Sequence, residues 1–222
     1  MDLENKFGIG DIVTLKSHPL TQNHSSIKDL SLLVPPLMLV KEVYLEDYKN
    51  KKIFSEEIEK AQISDFIKYV CVYFCANTSK FEEKTLFESF LISHKELNFY
   101  RKDEVDENGK ESISLIDEVT NYVSDFNYLY GKVVQFKTKK LEHRKSYEKK
   151  NNEELKKTSY QTPDFILSGI KKEPQEKLFY PNGNQRKITS EILYKVMWFN
   201  YVHQKFSEEY LPKKFFVEGL EI

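Results

Sequence analysis

Apolar and polar residues alternate along this chain in short bursts with the period of β-strands. Ile12, Thr14 and Lys16 alternate with Val13, Leu15 and Ser17, and residues 133–136 are dense in β-branched and aromatic side chains, so both segments read as strands. Residues 37–43 and 165–170 are short apolar runs that follow a proline. Periodicity alone allows a buried strand or a short helical piece there, and the leading proline favours the start or edge of a strand. Residues 70–75 and 195–200 read as clear strands, 77–80 and 202–205 as hairpin connections. Phe81 and Phe206 open the next strand or turn, which Leu86 and Leu211 close.

These segments fall into two series, because the chain carries an internal repeat. Residues 69–92 align without a gap onto 194–217, with seven identities: Tyr69/Tyr194, Phe74/Phe199, Lys80/Lys205, Phe81/Phe206, Glu83/Glu208, Leu86/Leu211 and Phe90/Phe215. Upstream, residues 10–17 match 131–138 with the glycine (Gly10, Gly131) and the lysine (Lys16, Lys137) retained, and 36–43 match 163–170. Each unit spans roughly 80 to 90 residues, a sensible size for a small domain. Five or so short strands per unit, with a glycine at the first, predict a mostly β protein of two tandem small SH3-like β-barrels. The expected divisions are 1–92 for the first barrel, 93–130 for a linker, and 131–222 for the second barrel with long inserted loops. In the linker, Leu115, Val119, Tyr122, Val123 and Phe126 fall at helical spacing, which predicts a helix over 114–126 packed across the barrels. Residues 171–190 read as a long loop.

The order of motifs resembles the YodC-like proteins, small bacterial proteins of uncharacterised function. Gly10-Asp11-Ile12-Val13-Thr14-Leu15-Lys16-Ser17 matches their opening, Pro36-Leu37-Met38-Leu39-Val40 resembles their P-x-M-x-V step, and Cys71-Val72-Tyr73-Phe74 resembles C-x-W-F with Tyr for Trp. In the second repeat Val196-Met197-Trp198-Phe199 keeps the W-F and lacks the Cys. The glycine pair before the proline is absent, and residues 18–35 and 139–162 stand where a two-residue turn would. The resemblance covers short blocks, about a third of the chain, and implies a fold but no activity.

Composition narrows the class. With 40% hydrophobic and 14% aromatic residues in 222, the chain has the material for real cores. No apolar run approaches the length of a membrane span, and the polar, acidic start reads as lacking a secretory signal. Cys71 and Cys75, four apart on one strand, read as reduced thiols in a cytoplasmic protein, with half of a metal site as the alternative. The formal charge of −1 hides an asymmetry: residues 1–120 hold 15 Lys+Arg against 22 Asp+Glu, whereas 121–222 hold 19 against 13. The Lys, Asn, Tyr and Phe usage suggests a bacterial or phage origin.

Candidate chemistry is sparse. His18, His24, His94, His143 and His203 are scattered, and no spacing marks a triad, a metal site or a phosphate loop. The sequence therefore predicts a non-enzymatic binding or adaptor protein that needs no cofactor and engages a protein partner, with no membrane role. If Val72, Phe74, Met197 and Phe199 face the cores, Tyr73 and Trp198 point outward. They would then either pack between the barrels or under the linker helix, or form a partner-binding surface; Lys80 and Lys205, beside Phe81 and Phe206, read as turn-surface residues, with a shared partner contact as the alternative. A second class of reading is nucleic-acid binding by the basic stretch Lys139, Lys140, Arg144, Lys145, Tyr147, Lys149 and Lys150, where several cations and an aromatic ring suit phosphate and base. The bland reading of that stretch is a solvated loop tempered by its glutamates. A third reading is an enzyme with an unrecognised site.

Overall fold

Two glycines set the start of each repeat. Gly10 and Gly131 sit at φ of 85° and 81°, a left-handed conformation in which a side chain is disfavoured. Each turns the chain so that its amide donates across the sheet, Gly10 to the Val40 carbonyl and Gly131 to the Leu167 carbonyl, both at 2.8 Å. The structure, a computed structural model, describes residues 5–21, 34–45, 66–97, 126–141, 144–150, 153–159, 161–174, 178–181, 183 and 185–218.

After Gly10 come β1 (Ile12–Leu15), β2 (Met38–Leu45), β3 (Ile67–Cys75), β4 (Lys80–Phe87) and β5 (Leu91–Ser93). The second repeat supplies β6 (Val133–Phe136), β7 (Arg144–Lys150), β8 (Glu153–Ser159), β9 (Asp164–Lys172), β10 (Lys187–Ile188), β11 (Ile192–Asn200), β12 (Lys205–Pro212) and β13 (Phe216–Glu218). The protein is mostly β. One antiparallel sheet runs β4-β3-β2-β1-β5, and a second runs β12-β11-β9-β6-β13, the same order with equivalent strands.

Register repeats as well as order. Phe74 lies opposite Phe81 and Phe199 opposite Phe206; Leu15 lies opposite Leu91 and Phe136 opposite Phe216. Both sheets also slip at the same place. The β2–β3 ladder shifts between Val40 and Glu42, and the β9–β11 ladder shifts between Leu167 and Gly169, leaving Lys41 and Ser168 as the extra residues. Such a bulge bends the strand and increases its twist. Each long hairpin closes through a fourth turn residue in the left-handed region, Ser79 at φ 50° and Gln204 at φ 48°.

The helical pieces among the described residues are three-residue 3-10 turns, one of them ahead of the last strand of each repeat (Glu88–Phe90 and Lys213–Phe215). The linker helix predicted over 114–126 lies outside the described residues except for Phe126, which is buried. Two predicted loops contain short strands. Part of the basic stretch forms a separate β7–β8 hairpin. Within 171–190, β10 adds to the first repeat's sheet, with Lys187 opposite Tyr44 and Ile188 opposite Val43. Tyr180 Oη donates to the Leu45 carbonyl at 3.1 Å, and Lys187 pairs with Glu42 at 2.7 Å. The β2 edge beyond the bulge is open to pairing, and this segment fills it.

The cores are unequal. One contains only first-repeat residues among its fully buried members: Phe7, Val13, Met38, Val40, Val43, Ile67, Tyr69, Cys71 and Leu91. The other joins the second repeat's interior (Phe136, Phe165, Leu167, Val196, Trp198, Leu211, Phe216) to the opposite face of the first repeat's sheet (Ile12, Leu39, Val72, Phe74, Phe81). The same residue type at equivalent positions therefore has different weight. Phe81→Ala is expected to destabilise the fold by about 3–5 kcal/mol, and Phe206→Ala, on a side chain 70% exposed, by no more than about 0.5 kcal/mol. Urea unfolding of the two variants beside the parent measures both.

Candidate protein-binding surface

Successive residues of a strand face opposite sides, so β3 offers two faces. Tyr69 and Cys71 fall on the first repeat's own core, and Val72 and Phe74 on the other side. Both are buried. The second face is covered because the β3–β4 hairpin is seated in the interior of the second repeat. Phe81 stacks on Phe165 with ring centroids 5.2 Å apart, meets Trp198 edge-on at 5.3 Å and lies tilted against Phe136 at 5.2 Å. Phe74 makes edge contacts to Phe165 and Trp198 at 5.8 and 6.2 Å. Pairs of this kind contribute roughly 0.5–1.5 kcal/mol each beyond the area they bury.

Polar groups fix the seat. Trp198 Nε1 donates to the Ser79 carbonyl at 2.9 Å, and Asn200 Nδ2 reaches the carbonyls of Ser79 and Thr78 at 2.9 and 3.3 Å. Tyr201 Oη donates to the Ala76 carbonyl. At the far end of the contact Lys137 Nζ donates to the Gly10 carbonyl at 2.8 Å, and burial lowers the Lys137 pKa below the ordinary lysine value. Gly10 lies so close to Lys214 that a Cβ would come within 2.7 Å of the Lys214 Cβ. Hence a glycine is required there for packing as well as for conformation.

Glu209 is on β12 at the same boundary. Burial pushes its carboxyl up to about 7, against the pull of Lys41, with Glu83 and Glu82 adding repulsion. Lys41 is itself ion-paired with Glu83. Elsewhere, burial raises the Cys71 thiol to about 12, which keeps it protonated, while a hydrogen bond from Thr78 lowers the half-exposed Cys75.

The equivalent face of the second repeat is bare. Val133, Ile166, Phe199 and Phe206, which correspond to the buried Ile12, Leu39, Phe74 and Phe81, are 38%, 41%, 52% and 70% exposed. Val133 pairs with Ile166, Ile166 with Met197, and Phe199 with Phe206, so they form a stripe across β6, β9, β11 and β12. Phe199 and Phe206 make a T-shaped contact at 5.6 Å. Together they make a contiguous stripe of apolar side chains across four strands rather than scattered exposed residues, which makes it the candidate surface.

The predicted site residues fare unequally. Trp198 is not a surface residue: it is buried at 4% exposure and packs between the repeats, the first of the two positions the sequence allowed. The strand phase is the reverse of the one predicted for the second repeat, where Val196 and Trp198 face the interior and Phe199 faces out. Tyr73 is half-buried against the first repeat's core, so it too is not the projecting ring predicted. Lys80 and Lys205 are exposed at equivalent hairpin positions, opposite Cys75 and Asn200.

In the basic stretch, Lys139 is buried and paired with Asp164 at 2.5 Å, which removes it from a solvent-facing cluster. Lys140 is exposed. Arg144, Lys145, Tyr147, Lys149 and Lys150 lie on β7, where register sets Lys149 and Lys150 opposite Glu154 and Glu153. The residues that sequence reasoning missed are Phe199 and Phe206 as surface groups. The identities with Phe74 and Phe81 were visible, but the burial of that face depends on the other repeat. Among the described residues no group of three His, Cys, Asp or Glu stands together, and no helix is long and apolar enough to cross a membrane. No protein-family model, curated protein or solved structure matches the chain.

Two outcomes follow from this geometry. The emission of Trp198, the single tryptophan, is expected to be blue-shifted and shielded from iodide, and Trp198→Ala to cost about 3–5 kcal/mol in urea unfolding. For Glu209, the folded value of about 7 lies above the ordinary 4.5, so the unfolded chain releases its proton first as pH rises. Its contribution to stability is thus greatest below pH 4.5, falls between 4.5 and 7, and is level above; Glu209→Gln should remove that part of the slope when unfolding is followed against pH.

Proposed function

We propose that this chain is a non-enzymatic binding or adaptor protein, built of two tandem SH3-like barrels and acting through protein–protein contact at the stripe of Val133, Ile166, Phe199 and Phe206. The strand order common to both sheets, with a 3-10 turn ahead of each last strand, supports the SH3-like reading. The short-block resemblance to the YodC-like proteins agrees with it, and we place the protein in a bacterial or phage cytoplasm on composition. The observation that carries the functional reading is the exposure of Phe199 and Phe206 at positions whose equivalents in the first repeat are buried against protein. Aromatic rings held on a rigid hairpin make good contact anchors, because little side-chain freedom is lost when they are covered.

Nucleic-acid binding at the β7–β8 hairpin is the second reading. It retains Lys140, Arg144, Lys145, Tyr147, Lys149 and Lys150, with Lys139 engaged by Asp164. The opposed glutamates at the hairpin end weigh against it.

Affinity capture from bacterial extract separates the two. The immobilised chain should retain protein at high salt, and Phe206→Glu should abolish that retention. Retention indifferent to Phe206→Glu, or retained nucleic acid that elutes steeply with salt, overturns the protein-binding reading.

A further inference from the structure

We infer that the partner for the exposed stripe is a second copy of this chain: the β11–β12 hairpin of one molecule seats in the first repeat of another, as the β3–β4 hairpin seats in the second repeat within each molecule. This rests on the protein-binding reading above and names its partner.

Both halves of the internal contact recur at equivalent positions, the inserting half bare and the receiving half partly covered by the first repeat's own core. On the inserting side, Phe199 and Phe206 are exposed where Phe74 and Phe81 are buried. On the receiving side, Phe136, Trp198 and Phe215 are buried, whereas their first-repeat equivalents Leu15 and Tyr73 are partly covered and Phe90 is 52% exposed; Met38, at the position of Phe165, is buried in the first repeat's core, so the seat offered is the rim of Leu15, Tyr73 and Phe90. Of the polar contacts the lysine clasp recurs, while Tyr73 and Cys75 replace the Trp198 and Asn200 donors. Internally the receiving repeat's Lys137 donates to the inserting repeat's Gly10 carbonyl. For contact between molecules the corresponding pair is Lys16 and Gly131. Both are exposed, and Gly131 has nothing within 4 Å of the position of a Cβ. The lysine and glycine retained in both repeats are thereby accounted for as one clasp used twice. Such a contact is heterologous, joining unlike surfaces head to tail, so it either closes a ring or continues as a fibre.

Sedimentation velocity of the intact chain from about 1 μM to about 1 mM tests it, a range that covers weak to moderate association. The expected mass rises with concentration to a fixed multiple of the chain if a ring closes, or without a limit if it does not; either result supports the proposal. Phe206→Glu and the double variant Lys16→Glu/Phe90→Glu each alter exposed residues, and each alone should stay monomeric with unchanged far-UV circular dichroism and urea midpoint. Mixed, they should form a one-to-one dimer, because one keeps the receiving face and the other the inserting hairpin. A parent chain that is monomeric throughout overturns the proposal, as does association that survives Phe206→Glu. A mixture that stays monomeric also overturns it, since that result marks a like-to-like contact. If the parent is monomeric yet still retains another protein through Phe206, the binding reading stands and only this inference falls.

Discussion

The arrangement depends on one insertion: the first repeat's hairpin, carrying Phe74 and Phe81, fills the interior of the second. Phe165, Phe136 and Trp198 pack directly on those two rings and would otherwise line an open cavity. The packing density of protein interiors leaves little room for such a void. The two repeats are therefore not beads on a string. One supplies part of the other's core, and the carbonyls of its turn complete the hydrogen bonding of Trp198 and Asn200.

That dependence breaks the symmetry that the sequence preserves. Register, bulge position, hairpin closure and the glycine conformation are the same in both repeats, so local instructions were copied faithfully. Burial is not the same, because a chain with two repeats contains only one adjacent pair. The face that is sheltered in the first repeat has no counterpart to shelter it in the second. Apolar exposure at Phe199 and Phe206 is a consequence of counting, not of a different local design.

Much of the strand plan was legible from alternation, prolines and the repeat, down to the hairpin ends. Which face of a strand is inside was not. Phe74 is buried, as read, but beneath the other repeat rather than in its own core, so carrying that assignment over to Phe199 put Trp198 on the wrong side. Lys139 looked like one cation among many because Asp164, its partner, is distant in sequence and adjacent only across the sheet. β10 was hidden for a related reason: residues 187–188 have no strand pattern of their own, and the edge they complete belongs to the other repeat.

β10 also bears on how the molecule is made. The strand that extends the amino-terminal sheet comes from near the carboxyl end, so a nascent chain emerging in order cannot finish its first unit before most of the second has left the ribosome. Domains usually fold as units during synthesis, the earlier ahead of the later. Here each unit waits on the other, and a chain interrupted between them leaves the first half without its β10 edge and the second without the hairpin that fills its interior.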